Sequence, residues 1–148
     1  MFSKACEYGI RATLFVATQS LQQKRVVLPD LAKAIDSPLA FTAKIMQQLS
    51  RSKIVRSVKG PNGGFYMRDE MTESCKLIDI VLAIDGDAII TECCLGLKKC
   101  DEAEPCPVHS SFKNIRAEII EMLEQTSLKD IAEKIERGEA VLKISNPS

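Results

Sequence analysis

At 148 residues the chain is long enough for one domain with an accessory element and short for two independent cores. Its 45% hydrophobic and 27% charged residues make an ordinary globular composition, and no apolar run approaches the roughly 20 residues that a bilayer span requires. Twenty basic residues balance twenty acidic ones, so attraction to a charged partner must come from local charge rather than from the net value of zero.

The N-terminus, Met-Phe-Ser-Lys-Ala-Cys-Glu-Tyr, lacks the charged start, apolar core and small-residue cleavage site of a signal peptide. A cytoplasmic location is expected, where thiols stay reduced; the six cysteines then suit metal or redox chemistry better than disulfides.

The first predicted element is a helix from Ser3 to about Ser20, with one apolar row at Ala5, Tyr8, Ala12 and Phe15 and a second at Cys6, Ile10, Thr13 and Ala17. Val26-Val27-Leu28 is a short β-branched piece leading into Pro29, followed by a short helix from Asp30 to Ile35 and a turn at Asp36. Ser37-Pro38 reads as an N-cap with proline at the first helical position, opening a helix that reaches Leu49 with Ile45 and Leu49 on its core side. Ile54–Val58 and Phe65–Met67 read as strands joined by Lys59-Gly-Pro-Asn-Gly-Gly64, whose glycines, asparagine and proline suit a hairpin tip.

Helix, tight turn, helix and hairpin form a winged helix-turn-helix pattern, whereas the two helices alone would fit a generic helical hairpin equally well. Charge supports the first reading. From Lys24 to Arg68 there are nine Lys or Arg against only Asp30 and Asp36, a local excess of seven positive charges. A charge run usually marks a solvated face; one confined to a third of a neutral chain fits attraction to a polyanion, nucleic acid first.

Beyond the wing the composition turns acidic. An apolar helix is expected from Leu77 to Ile84, capped by Thr72 or Ser74 and ended by Asp85-Gly86-Asp87. An irregular segment follows, in which four cysteines and the only histidine fall between Cys93 and His109. A long helix from about Val108 to Gln125 carries Phe112, Ile115, Ile119 and Met122 at steps of three and four, a heptad-like seam that could pack within one chain or against a second. Thr126, or Ser127 with Asp130, would cap a last helix from Leu128 to about Glu136, and the tail Gly138–Ser148 is expected to be weakly ordered.

Soft sulfur and imidazole donors at this density suit a transition metal or an iron–sulfur cluster. Cys94, Cys100 and Cys106 are separated by five residues each, and His109 follows three positions later. Zinc accepts three Cys and one His, but structural zinc draws on pairs two to four residues apart; wide intervals favour a cluster loop. A thiol switch pairing Cys93 or Cys94 with Cys100 or Cys106 is the alternative, and Cys6 and Cys75 are expected to pack as small apolar residues.

Tyr8-Gly-Ile-Arg-Ala12, Val58-Lys-Gly-Pro-Asn-Gly-Gly-Phe65, the Cys-x5-Cys-x5-Cys-Pro-x-His segment and Thr126-Ser-Leu-Lys-Asp-Ile-Ala132 together resemble the family of small winged-helix regulators of the IscR, NsrR and CymR type, from the first helix to about Ile135. The fold so implied is mostly α with a small β-hairpin wing: a winged helix-turn-helix domain (1–84), a cysteine-rich cluster-binding loop (85–109), dimerisation and terminal helices (110–137) and a flexible tail (138–148). The resemblance implies a homodimer built on Phe112, Ile115, Ile119 and Met122, and a pseudo-palindromic double-stranded DNA site. It also implies an iron–sulfur cluster, [2Fe–2S] in preference to [4Fe–4S], on Cys94, Cys100, Cys106 and His109.

Two departures keep alternatives open: Cys93 beside Cys94 could be the first ligand, and Glu7 lies where other members supply an acidic ligand from the partner subunit. On the DNA side, Thr42, Lys44, Gln47 and Gln48 are expected at base edges, Ser37, Arg51 and Arg56 at the backbone, and Lys59, Asn62, Gly63 and Gly64 at an adjacent groove. The expected activity is transcriptional regulation, as a repressor sensing iron–sulfur supply, redox state or nitric oxide. An electron carrier would leave the basic third without a purpose, and no paired base and nucleophile points to an enzyme.

Overall fold

The computed structural model describes residues 2–145. Helix α1 (Lys4–Leu21) runs through the centre of the core, and its start is capped by Ser3 Oγ, which accepts from the Cys6 amide at 3.0 Å. Cys6, Gly9, Ala12, Thr13, Val16 and Ala17 are buried along it. The hydroxyls of Thr13 and Thr18 donate back to the carbonyls of Gly9 and Leu14, so neither is left unpaired in the apolar interior. Any Cβ on Gly9 would come within 1.9 Å of Ile84 Cδ1, so glycine leaves room for the end of the Ile84 side chain.

Helices α2 (Leu28–Ala34) and α3 (Leu39–Arg51) are joined by a turn in which Asp36 takes a left-handed φ of 52° and the Ser37 amide donates to Ala32 O. Leu31, Ile35, Ile45, Met46 and Leu49 are essentially fully buried between these helices and α1. The expected cap is corrected here. Pro38, not Ser37, occupies the N-cap of α3, and the Ser37 hydroxyl is engaged with the Thr42 hydroxyl instead of a backbone amide. Helix α2 likewise starts at Leu28, taking Pro29 into its first turn, where a missing N–H costs nothing.

Strands β1 (Arg56–Val58) and β2 (Gly64–Tyr66) pair antiparallel, with Arg56 opposite Tyr66, Ser57 opposite Phe65 and Val58 opposite Gly64. They are shorter than expected because Ile54, Val55 and Met67 turn into the core. Val26 forms a one-residue bridge to Phe65, which fastens the hairpin to the segment before α2.

Next come α4 (Asp69–Ser74), α5 (Leu77–Asp85), α6 (Ala88–Thr91), α7 (His109–Gln125) and α8 (Leu128–Glu136). Helices α4 and α6 were not anticipated. Thr72 lies inside α4, and α5 is capped by Asp79, whose carboxylate accepts from the Lys76 amide at 2.8 Å. Ser127 takes the N-cap position of α8 without a side-chain bond; Leu128 N donates to Cys75 O, tying the start of α8 to the start of α5. Leu128 and Ala132 enter the same apolar cluster as α1. After Gly138 the chain packs Leu142 against that cluster and donates from Lys143 Nζ to Lys33 O at 3.1 Å, more order than expected there; residues 146–148 lie outside the described residues. No described helix is long and apolar enough to cross a membrane.

Candidate metal centre and nucleic-acid interface

The cysteine segment connects α6 to α7 and is held at both ends. Arg116 of α7 donates to the carbonyls of Ile90 (3.1 Å) and Glu92, which fixes the chain just before Cys93. Lys113 of α7 pairs with Glu102, Lys99 pairs with Asp101, and each contact holds its carboxyl below the usual range. The acidic stretch between Cys100 and Cys106 therefore serves as the loop's fastening. The Cys100 amide donates to Thr91 O, and the His109 amide to Cys106 O, so donors distant in sequence are drawn into one place.

Two groups of soft donors result. Cys93, Cys94 and Cys106 have their sulfurs within 4.8 Å of one another, Cys93 and Cys106 buried and Cys94 exposed. Cys100 Sγ lies 3.4 Å from His109 Nδ1. His109 heads α7 half-buried, and its Nε2 is buried without a hydrogen-bond partner among the described residues. Both Cys93 and Cys94, adjacent in sequence, face Cys106, because a bend at Cys93–Gly96 folds the pair toward it.

The amides of Leu95, at 3.4 Å, and Leu97 pull the Cys93 thiol below its ordinary value by stabilising the thiolate. Desolvation, with the neighbouring charges of Cys106 and Cys93, pushes Cys94 up. Three clustered sulfurs, that of Cys93 backed by amide donors, and an imidazole with a buried nitrogen unpartnered among the described residues fit a soft metal or an iron–sulfur group. Glu7 is outside this set; it is exposed at the start of α1 and pairs with Lys4 at 3.1 Å.

The expected dimer seam lies on α7. Phe112, Ile115 and Met122 are exposed at 43%, 51% and 48%, large values for apolar side chains on one helix face, while Ile119 packs inward against Cys6, Ile78, Val81 and Leu123. A cavity of about 390 Å³ between α6 and α7 is lined by Cys93, Cys94, Phe112, Ile115 and Ile119, so sulfur group and seam adjoin.

At the opposite end, α3 and the hairpin enclose a groove of about 670 Å³ lined by Ala43, Gln47, Arg51, Lys59, Gly63 and Gly64. Lys44, Gln47, Arg51, Lys59 and Asn62 are exposed there, Gln48 is half-buried, and Arg56 is half-buried with its Nε lacking a partner among the described residues. Thr42 must be removed from the base-contact set. It is fully buried, with its hydroxyl donated to Pro38 O at 2.7 Å and engaged with Ser37, itself half-buried.

Several positioning residues were missed. Arg25 donates to Asn62 O at 3.0 Å and lies over the Tyr66 ring, bracing the hairpin tip. Arg116 and Lys113 brace the cysteine loop. Two basic residues, Lys113 and Arg116, early in a helix that follows an acidic, cysteine-rich loop were the available signal, and they do not name the carbonyl or carboxylate they meet.

The sequence model of a family of iron-dependent transcriptional regulators, Rrf2, matches residues 2–134. An HTH-type regulator-like protein of Aquifex aeolicus is 33% identical over 134 residues, 88% of this chain and 90% of that protein. The regulator IscR of Vibrio campbellii is 27% identical, over 94% of this chain and 79% of its own length. Among solved structures, CymR, the global cysteine regulator of B. subtilis, superposes with a TM-score of 0.73 at 20% identity, covering 90% of this chain and 96% of that one. IscR of T. potens gives 0.70 at 20% identity, covering 95% and 92%. A basic α3-and-hairpin reader, a soft-donor loop and a family match over nearly the whole chain lead to one conclusion: this protein is a member of the Rrf2 family of transcriptional regulators.

Proposed function

We propose that the protein is a DNA-binding repressor, acting as a homodimer, whose hold on a pseudo-palindromic operator responds to an iron–sulfur cluster bound by Cys94, Cys100, Cys106 and His109, with Cys93 and Glu7 as alternative ligands. The observation that carries this reading is the gathering of four cysteines and His109, in two groups, on the one loop that leads into α7, with His109 Nε2 buried and unpartnered among the described residues. A [2Fe–2S] group is favoured over [4Fe–4S], and bound there it would report iron–sulfur supply, redox state or nitric oxide through its own gain, loss or oxidation.

The chain's own residues give that report a route. Ser3, the cap of α1, bonds through its amide and hydroxyl to the Asp85 carboxylate, where the apolar helix gives way to the cysteine segment. About 27 Å of helix can separate the two ends of α1. Along it Arg11 donates to Ile35 O at 2.9 Å, at the turn between α2 and α3. Reordering of the loop can therefore be felt where α3 is aimed. A differential affinity of about 1–3 kcal/mol between two such arrangements suffices for control.

On the DNA side, Lys44 and Gln47 would reach base edges, Arg51 and Arg56 phosphates, and Lys59 and Asn62 the adjacent groove. Purified without oxygen, the protein should be coloured and carry about two irons per chain, as a [2Fe–2S] group requires. A colourless protein holding stoichiometric zinc overturns the cluster reading and leaves the DNA reading standing.

A further inference from the structure

Cys93 is an alternative to Cys94 in the proposed four-donor set, yet the structure buries it beside both Cys94 and Cys106. The sulfurs of Cys93, Cys94 and Cys106 lie within 4.8 Å of one another, and no His, Asp, Glu or further Cys joins them in a ligating group among the described residues. Cys100 stands aside with its sulfur against His109 Nδ1. The inner site therefore offers three sulfurs and no fourth ligand.

We propose that Cys93, Cys94 and Cys106 form a three-thiolate site for arsenic(III), taken up as the uncharged trihydroxide. Donor count and softness select this class. Zinc completes a tetrahedron with four ligands, and magnesium and calcium take oxygen. An all-sulfur, three-donor set suits a soft centre, and arsenic(III) fills the fourth direction with its lone pair.

A route to the thiols is open to a small solute. The cavity of about 390 Å³ that reaches Cys93 and Cys94 is lined by the apolar Phe112, Ile115 and Ile119 and by the charged Asp85, Glu92 and Arg116. Cys94 is exposed and makes the first contact; Cys93 and Cys106, both buried, complete the set after small side-chain rotations.

The step balances without an oxidant. Three arsenic–oxygen bonds break and three arsenic–sulfur bonds form. Each thiol proton leaves in one of three waters, and no electron changes owner. Cys94 and Cys106 are shared with the proposed cluster set, so arsenic and cluster cannot be held together. The arsenic site itself does not depend on the cluster reading.

The test uses the full chain, reduced and metal-free, titrated with sodium arsenite under anaerobic conditions. Near-ultraviolet sulfur-to-arsenic charge-transfer absorption should saturate at one arsenic per chain, with three fewer cysteines reacting with a thiol reagent than in the arsenite-free protein, where Cys6 and Cys75 are already buried. Cys93→Ser should weaken binding on the order of 100-fold or more, since even outer-sphere changes at metal sites cost 10–100-fold. Cys100→Ser should bind arsenite as the parent does. Should Cys93→Ser fail to fold by circular dichroism, Cys94→Ser, at an exposed position, carries the same expectation. The proposal is overturned if the absorption does not appear, if only two thiols are protected, or if Cys100→Ser loses binding as Cys93→Ser does.

Discussion

Arg11 reaches across from α1 to the carbonyl of Ile35 at 2.9 Å, and its guanidinium lies 4.7 Å over the ring of Tyr8, which meets Phe41 edge-on at 5.5 Å. The motif Tyr8-Gly-Ile-Arg-Ala12 is thus a clamp: Gly9 admits Ile84 on one side while Tyr8 and Arg11 grip α2 and α3 on the other. Gly64 plays a comparable part in the hairpin. It has φ 137°, and an added Cβ would sit 2.8 Å from Val26 O. Gly64→Ala should cost about 1–3 kcal/mol in urea unfolding, since both backbone strain and the Val26 bridge are affected.

The buried thiols make a pH prediction. Burial, with the Asp85 charge, pushes Cys6 up to about 12, and burial with the Asp79 charge does the same for Cys75. A thiol raised in the folded state favours folding fully below the unfolded value near 9, and that contribution is lost as pH climbs from there toward about 12. The urea midpoint should fall above pH 9, and Cys6→Ala with Cys75→Ala should flatten the fall; an unchanged slope in the double variant would refute the assignment.

Among the helices, α7 combines the most exposed apolar face with the closest ties to the cysteine loop. Because Ile115 is half exposed, Ile115→Glu should alter the stability of the single chain by no more than about 0.5 kcal/mol. It should shift sedimentation from dimer to monomer; a dimer that survives would move the interface elsewhere. The long helices α1, α3 and α7 were legible because 13 to 18 residues carry several turns of apolar periodicity. Helices α4 and α6, six and four residues long, are too short to show a period, and tertiary contacts stabilise them. The cap at Ser37 was misread because a hydroxyl has several nearby partners, and the neighbouring fold chooses among them.

Charge and connectivity tie these parts together. The basic third folds into one end, around the groove between α3 and the hairpin, while the acidic remainder carries the cysteine loop and the seam. Binding to a duplex selected from a randomised pool should weaken in Lys44→Ala and Lys59→Ala. Arg51→Ala, which removes a proposed phosphate contact, should in addition lower the slope of log affinity against log salt by about one. Affinity and slope both unchanged would place the reader on another face.

Periodicity, turn chemistry and charge blocks are local, and they sufficed for the reader's helices, the hairpin, the density of soft donors and the apolar seam. Partner choice is not local. That Thr42 is sealed against Ser37, that Arg25 braces the hairpin, that Arg116 pins the loop, and that Cys93 joins Cys94 and Cys106 while Cys100 meets His109 all depend on which atoms the packed core brings within about 3–5 Å. Hydrogen bonds and metal ligation act only at such contact distances, so the pairings exist only once the chain has closed on itself.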